Sequence, residues 1–468
     1  MKFDIAVIGA GSAGLSVAAA AAQFGEKVVL FEKAEMGGDC LNYGCVPSKS
    51  LIAASKAAHA QRSSAAYGIA AVEPKVDFAK VMDYVQSVIA AIEPNDSQER
   101  FEKLGVTVVR AAAKFMNANE VEADGKTYSA RKFVIATGSR AGVPPIPGLK
   151  DVPYFTNESV FKNRILPRHL IVIGGGPIGL ELSQAHRRLG SQVTVLEAFQ
   201  PLAKDDPELT SIVLDVLKAD GVDIRAQVAI AEIRKSKSGI DVVLKDGSVV
   251  SGSHLLVAAG RVPNIENLNL EAAGIEYSKR GVTVDQGLRT TNRKVYAAGD
   301  VAGGLQFTHV AGYHAGLIIR NALFKLPVKN RSDIIPWVTY TDPELAQIGL
   351  TEAEARKAKG DIVRVLRWHF VENDRAQAES KTKGMIKVVV GKKGRILGAS
   401  IVGPQAGELI ATWVLAVSQG LKISAFANVV LPYPTLSEIG KRAAITNYAG
   451  LAQKPLVRRA LGFLKLLG

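Results

Sequence analysis

DIAVIGAGSAGLSVAAAAAQFGEKVVLFE, residues 4–32, reads as a strand, a glycine turn, a helix of small residues and a second strand. Gly9, Gly11 and Gly14 occupy the turn with the spacing G-x-G-x-x-G. The first glycine makes the tight turn, the second lets the backbone approach a pyrophosphate, and the third lets helix and strand pack closely. The N–H groups and partial positive charge at the helix start then face the phosphates. Glu32 ends the second strand, where a carboxylate can accept hydrogen bonds from ribose hydroxyls. The same grammar recurs in HLIVIGGGPIGLELSQAHRRLGSQVTVLE, residues 169–197, with Gly174, Gly176 and Gly179 in the turn and Glu197 at the offset of Glu32. A carboxylate there fits the free 2′-hydroxyl of NAD and repels the 2′-phosphate of NADP, and no arginine follows Glu197 in the run AFQPLAKDD. Two nucleotide-binding regions in one chain is the simplest reading.

Between and beyond these units the texture changes twice. A Pro/Gly-rich stretch, GSRAGVPPIPGLKDVP (138–153), looks like a crossover, and a second begins at Gly260 with GRVPNIENLNL. KVYAAGD (294–300) is another strand, ending in Gly-Asp. From Pro336 onward, short strands (GMIKVVVG, GRILGASIVG) precede a long helical run (AGELIATWVLAVSQG), which predicts a separate α+β domain. The 468 residues and 47% hydrophobic content are enough for several cores and exclude a disordered chain. Net charge is +14, but the basic residues are scattered without aromatic interleaving, so a solvated basic surface is expected rather than a nucleic-acid footprint. The N-terminus enters the first strand without the pattern of a signal peptide, and no stretch reads as a transmembrane helix, so a cytoplasmic protein is the default.

Only two cysteines are present, Cys40 and Cys45, in GGDCLNYGCVPSK (37–49). No histidine lies near them before His59, which argues against zinc, and no metal site is expected. Two unpaired structural thiols and a redox-active pair both remain open. In a regular helix, residues five apart are separated by about 7.5 Å along the axis, beyond disulfide reach. A bond between them therefore requires a distorted helix start, for which Gly44 is suited, and a somewhat strained bond is easy to reduce and re-form.

Taken in order, the first glycine motif, the Cys-x4-Cys segment, VIATGS (134–139), the second glycine motif, VAAGRVPN (257–264), YAAGDV (296–301), DPELAQIGLTEAEA (342–355) and PYPTLSE (432–438) resemble the pyridine nucleotide-disulfide oxidoreductase family, the group of dihydrolipoamide dehydrogenase, glutathione reductase and mercuric reductase. The resemblance covers essentially the whole chain. It implies an α/β fold with Rossmann-like FAD- and NAD-binding domains and an α+β C-terminal dimerisation domain. The FAD domain would take residues 1–148 and 264–333, the NAD domain 149–263, and the interface domain 334–468. A homodimer is implied, because PYPTLSE must reach the partner's disulfide. By position, Cys45 matches the thiol that lies against the flavin and Cys40 the thiol that exchanges with substrate. Lys49 and Glu181 match a buried ion pair beside flavin N5, and Asp300 a ligand of the FAD ribityl or pyrophosphate groups. Ala112, Thr137 and Gly138 fall among the FAD contacts and Gly260 among the NAD contacts. His309 would lie near the flavin pyrimidine ring, with a core or backbone-bonded role equally open, while His314 and His369 read as structural.

The chain departs from the family where a His-Pro-Thr-x-Ser-Glu segment supplies the catalytic base. Here Tyr433 replaces the histidine and Glu438 is kept. A free tyrosine, with a pKa of ~10, is about 0.1% ionised at neutral pH, so Tyr433 is a poor base that can still donate a hydrogen bond or position substrate. Tyrosine also occurs here in proteins resembling mercuric reductases, but those carry a second cysteine pair that this sequence lacks. The leading expectation is an FAD-dependent dithiol:NAD+ oxidoreductase resembling dihydrolipoamide dehydrogenase, with a small or protein-bound dithiol, such as a lipoyl domain, as substrate. The alternatives are an NADH-driven reductase of another small disulfide, a metal ion or a quinone, and a membrane- or complex-associated electron carrier. The motive for the last is the tail, where Leu456, Val457, Leu461, Phe463, Leu464 and Leu467 accompany Lys454, Arg458, Arg459 and Lys465. A helix packed on the protein surface is the expected outcome there, and contact with anionic lipid the alternative.

Overall fold

The computed structural model describes residues 2–237, 239–450 and 454–466. The chain condenses into two compact units. One holds the chain up to Ser64 with Ala71–Phe199 and Val222–Ser332, and the other holds Ala65–Ala70, Gln200–Gly221 and the chain from Asp333 onward.

The first unit contains both glycine-turn motifs, each on its own parallel sheet. Strands Thr107–Val109, Val28–Phe31, Lys2–Ile8, Lys126–Ile135 and Val295–Ala297 lie side by side and parallel, and the antiparallel strands Glu120–Ala123 and Lys114–Asn117 extend the sheet from Lys126–Ile135. Central strands of such a sheet are covered on both faces and read as near-continuous apolar runs, as Val28–Phe31, buried throughout, illustrates. The helix Ser12–Gln23 packs Leu15, Val17, Ala18 and Ala21 into the core with Ile318 and Ile319 of the helix Thr308–Ala322. Its alanines let it lie close. Gly14 is required for that approach, since a Cβ there would meet the Gly9 carbonyl oxygen at 1.8 Å. The second sheet orders Val222–Arg225, Gln192–Leu196, His169–Ile173 and His254–Val257, all parallel. The two crossover stretches pair with each other, Ser139–Ala141 running antiparallel to Arg261–Pro263.

The second unit is built on a five-stranded antiparallel sheet in the order Trp337–Thr339, Glu344–Gly349, Ile396–Gly403, Met385–Val390, Arg364–His369. The helix Ala406–Ser418 buries Ile410, Trp413 and Ala416 in the core of this unit. Gln200–Gly221, which follows Glu197 in sequence, contributes the helix Pro207–Ala219 to this unit. The reason is electrostatic as well as apolar. Lys387, on the interior strand Met385–Val390, has its ammonium 2.7 Å from Asp206, 2.8 Å from Glu208 and 2.8 Å from Glu352. Arg367 adds paired hydrogen bonds to Glu208 at 2.8 and 2.9 Å. The Lys387 side chain is only 5% exposed. The tail forms a helix, Pro455–Leu464, but none of its residues is buried, so the expected packing against the protein surface is not found; Leu467 lies outside the described residues.

Removing one partner of a buried ion pair leaves uncompensated charge, which costs about 3–5 kcal/mol. Lys387→Met should therefore lower stability by about that amount, read as an earlier guanidinium transition; an unchanged midpoint would count against the cluster as a structural tie. Glu208 is held down to about 2, by Arg367 first and Lys387 after it. A depressed carboxylate stabilises the fold fully above its unfolded pKa of ~4.3 and loses that contribution as the pH falls toward about 2. Acid unfolding of the parent should thus have a limb in this window that Glu208→Gln removes.

Candidate active site

The cysteine segment does not form one helix. A short helix, Gly38–Asn42, ends at Tyr43, and a new one, Cys45–Ser63, begins after Gly44. A Cβ on Gly44 would meet the Asp39 carboxylate at 2.8 Å and its carbonyl oxygen at 3.0 Å, so the start of the second helix is crowded for any larger residue. The break sets the two free thiols near enough for each to shift the ionisation of the other, and makes Cys45 the first residue of a helix with no acidic residue in its first turn. Thr308, the first residue of the helix Thr308–Ala322, places Oγ1 3.4 Å from the Cys45 sulfur. Lys49 lies one turn along from Cys45, and its ammonium is 2.9 Å from Glu181.

These neighbours separate the two thiols chemically. The hydrogen bond from Cys40, followed by the Thr308 hydroxyl and the Lys49 charge, outweighs burial and pushes the Cys45 thiol down to about 6. The same shared proton, together with burial and the nearby Cys45 charge, pushes the Cys40 thiol well above the ordinary range. A thiolate forms first at Cys45, at a helix N-terminus beside a lysine. Glu181 is buried, at 6% exposure, but the Lys49 side chain is 38% exposed, so only the carboxylate end of the pair is buried.

Around Cys40 lies a polar network that the sequence reading missed. Asp39 accepts from Asn157 at 3.1 Å and pairs with Arg261 at 3.1 Å. Arg261 also donates to the Ser139 hydroxyl at 2.7 Å, and Ser139 in turn donates to Asp300. Burial pushes the Asp300 carboxyl above the usual range, against the pull of Ser139 and Arg261. The available signal was Arg261 itself, inside the VAAGRVPN stretch. Thr137 and Gly138 are held by Asn264, whose backbone carbonyl accepts from the Thr137 hydroxyl at 2.7 Å and whose amide donates to the Thr137 carbonyl at 2.9 Å. Ala112 is exposed between two strands. His309 is exposed and stacks on Phe307 with ring centroids 5.2 Å apart, so it is not a core histidine. His314 is buried and accepts from the Gly299 N–H at 3.2 Å, a structural role.

Both glycine turns fit a dinucleotide. A Cβ built on Gly176 meets no atom within 4 Å, and one on Gly11 meets only the Gly38 Cα at 3.9 Å, so packing within the protein does not demand glycine at either place. An approaching pyrophosphate does. Both helix N-termini lack a side-chain cap. Glu32 accepts from the N–H groups of Ala10 and Ala34, both at 2.7 Å. Glu197 repeats the arrangement with Gly175 at 2.6 Å and Phe199 at 2.8 Å. Each carboxylate is thereby pinned beside its glycine turn with lone pairs left for hydroxyl groups. Gly260, with φ of 111°, has a left-handed backbone and open space at its Cβ position.

Tyr433 and Glu438 belong to the other compact unit. Tyr433 is 68% exposed and donates from Oη to Asp374 at 2.7 Å. That hydrogen bond, and then the Asp374 charge, raises its pKa above the usual tyrosine value. Among the described residues, no group of three or more His, Cys, Asp or Glu could hold a metal ion, and no helix is long and apolar enough to cross a membrane.

Comparison with known proteins places this geometry among flavoproteins. Residues 3–315 match the pyridine nucleotide-disulphide oxidoreductase family and residues 335–444 its dimerisation domain. A mercuric reductase of Bacillus cereus is 34% identical over 451 residues, covering 95% of this chain and 71% of that protein. A dihydrolipoyl dehydrogenase of Thermus scotoductus is 37% identical over 456 residues, covering 93% and 95%. Among solved structures, the HOCl-induced flavoprotein disulfide reductase RclA from Escherichia coli aligns with a TM-score of 0.85 at 28% identity, covering 94% of this chain and 99% of that one.

The separation of the two thiols is measurable. In the reduced protein, the pH profile of thiol alkylation should show a first thiolate with an apparent pKa near 6, a property of the pair. Thr308→Val should move it upward, since the thiolate loses a donor. A first ionisation in the ordinary thiol range of ~8.5 would refute the assignment.

Proposed function

The chain belongs to the pyridine nucleotide-disulphide oxidoreductase family, and from that premise we propose that it passes electron pairs between NAD(H), FAD and the Cys40–Cys45 pair, with a small or protein-borne dithiol such as a lipoyl group as exchange partner. FAD and nicotinamide nucleotides are the cofactors of this family, and the dimerisation domain supports a homodimer. The observation that carries the proposal is the Cys45 thiol, pushed down to about 6 between Thr308, Lys49 and a high-pKa partner thiol.

In this reading a substrate thiolate attacks the sulfur of Cys40 in the oxidised pair. The Cys40–Cys45 bond breaks, and Cys45 leaves with the bonding electrons as a thiolate, the better leaving group because its pKa is low. The second substrate thiol closes the substrate disulfide and releases Cys40. FAD held at the first glycine turn would supply the two-electron acceptor, and a nicotinamide held at the second would take the pair as hydride. Net, a dithiol and NAD+ become a disulfide, NADH and one proton. Lys49 holds a positive charge one turn from Cys45, and Glu181 offsets its partial burial. Gly9, Gly11, Gly14, Glu32 and Asp300 are assigned to FAD, and Gly174, Gly176, Gly179, Glu197 and Gly260 to the nicotinamide nucleotide.

A second reading, NADH-driven reduction of another small disulfide, a metal ion or a quinone, is favoured by one observation. Tyr433, whose hydroxyl donates to Asp374 and whose pKa is raised by it, does not take a proton from a dithiol near neutral pH, a step that disulfide reduction does not need. Stopped-flow reduction with NADH, followed by oxidation with lipoamide, glutathione disulfide, quinones and metal ions, separates the readings. If none reoxidises the cysteine pair faster than Cys40→Ser enzyme reacts, both fail.

Glu197 sets the nicotinamide preference in this proposal. NADH should exceed NADPH in kcat/KM, and Glu197→Ala should narrow the ratio by at least about tenfold, the factor carried by ~1.4 kcal/mol. Equal use of the two by the parent enzyme would overturn the assignment.

Tyr433 sets the pH dependence. General-base help is worth roughly 10²–10⁴-fold, and this chain lacks it at that position. Turnover of free dihydrolipoamide should be weak at neutral pH and rise as the substrate thiol ionises by itself. Tyr433→His should raise the neutral rate and flatten the profile, with Glu438 available to orient the ring. Rapid neutral turnover by the parent, with no gain in the variant, would show that another group is the base.

A further inference from the structure

After Glu438 the sequence contains six lysines and arginines and no acidic residue. Within this stretch Pro455 opens the helix Pro455–Leu464, its fixed φ suiting the first turn. At about 100° per residue, Leu456, Val457, Ala460, Leu461, Phe463 and Leu464 fall within an arc of about 160°. Arg458, Arg459 and Lys465 fall on the rest of the circumference with Gly462. Val457 is half-buried, and the four largest side chains of the arc are exposed. Leu456 is 78% exposed, Leu461 51%, Phe463 64% and Leu464 57%. Large apolar side chains so exposed, side by side on one face, mark an interaction surface.

We propose that this helix lies on an anionic lipid surface, with its apolar arc among the acyl chains and its cations at the headgroups. Ten residues span about 15 Å, half the hydrocarbon thickness of a bilayer, so the helix lies in the interface rather than crossing it. Charge decides between occupants. A second copy of the same helix would cover the apolar arc but bring Lys454, Arg458, Arg459 and Lys465 toward their own duplicates, on a chain whose net charge is already +14. An anionic bilayer satisfies both halves of the helix at once, and a short apolar face joined to a basic cluster is the two-signal combination that gives stable surface binding. The enzyme would then work at a membrane surface, independently of which disulfide, dithiol or other acceptor it serves.

The test is flotation of the purified, FAD-loaded full chain with phosphatidylglycerol/phosphatidylethanolamine vesicles and with pure phosphatidylcholine vesicles. Binding to the anionic vesicles should be at least roughly tenfold stronger and should weaken as salt shortens the Debye length. Leu461→Glu with Phe463→Glu should abolish it, and Arg458→Glu with Arg459→Glu should weaken it at least as much as high salt does, with NADH-driven flavin reduction unchanged in both. Phe463→Trp, which keeps the apolar face, should bind like the parent and show blue-shifted emission with anionic vesicles only. Three results overturn the proposal: no flotation of the parent, flotation indifferent to Leu461 and Phe463, or charge variants that alter the sedimentation of the free protein, which would make a second copy the occupant.

Discussion

Between Asn42 and Cys45 the helix has to stop, and the redox chemistry depends on that interruption. A continuous helix would hold the two sulfurs about 7.5 Å apart along its axis. Gly44 suits the break because the Asp39 carboxylate and carbonyl crowd the place a Cβ would take. The new helix then begins at Cys45, so the thiol sits on the N–H-rich end of one helix while Thr308 brings the start of another against it. Burial and Asp39 both oppose ionisation. The donors and Lys49 win, which is why the thiol moves down rather than up.

The same helix carries the charge that joins the two nucleotide-binding regions. Cys45 and Lys49 are four residues apart and share a face, so fixing one positions the other. Lys49 reaches Glu181 on the helix that opens from the second glycine turn. A second tie runs through Arg261, which links Asp39 beside Cys40 to Ser139 and Asp300 at the end of the first sheet. The redox pair is therefore braced from both nucleotide-binding sides by ionic contacts between groups far apart in sequence.

The glycine turns, the strands around them, the paired carboxylates and the cysteine break were legible in the sequence because each is a local pattern with a local cause. What escaped were contacts made across long separations. Lys387 is a lysine within MIKVVV, yet all six residues of that strand are buried, because the strand is interior to the sheet and both of its faces are covered. Its three carboxylate partners come from two distant segments, Asp206 and Glu208 from one and Glu352 from the other. Asp374, which fixes the state of Tyr433, is likewise 59 residues away. Charge pairing of this kind leaves no periodicity to read.

Relatives of similar identity carry two names, a mercuric reductase and a dihydrolipoyl dehydrogenase, so identity at this level does not fix the terminal substrate. Protons are a different matter. Oxidising a dithiol requires a group that accepts protons near neutral pH, whereas reducing a disulfide requires one that donates to the departing thiolate. Histidine can serve both, since its ordinary pKa of ~6.5 leaves each form populated. A tyrosine raised above its usual value by Asp374 does not accept a proton in that range. Under the proposed function, a tyrosine at this position changes proton handling and leaves the cysteine pair as it is.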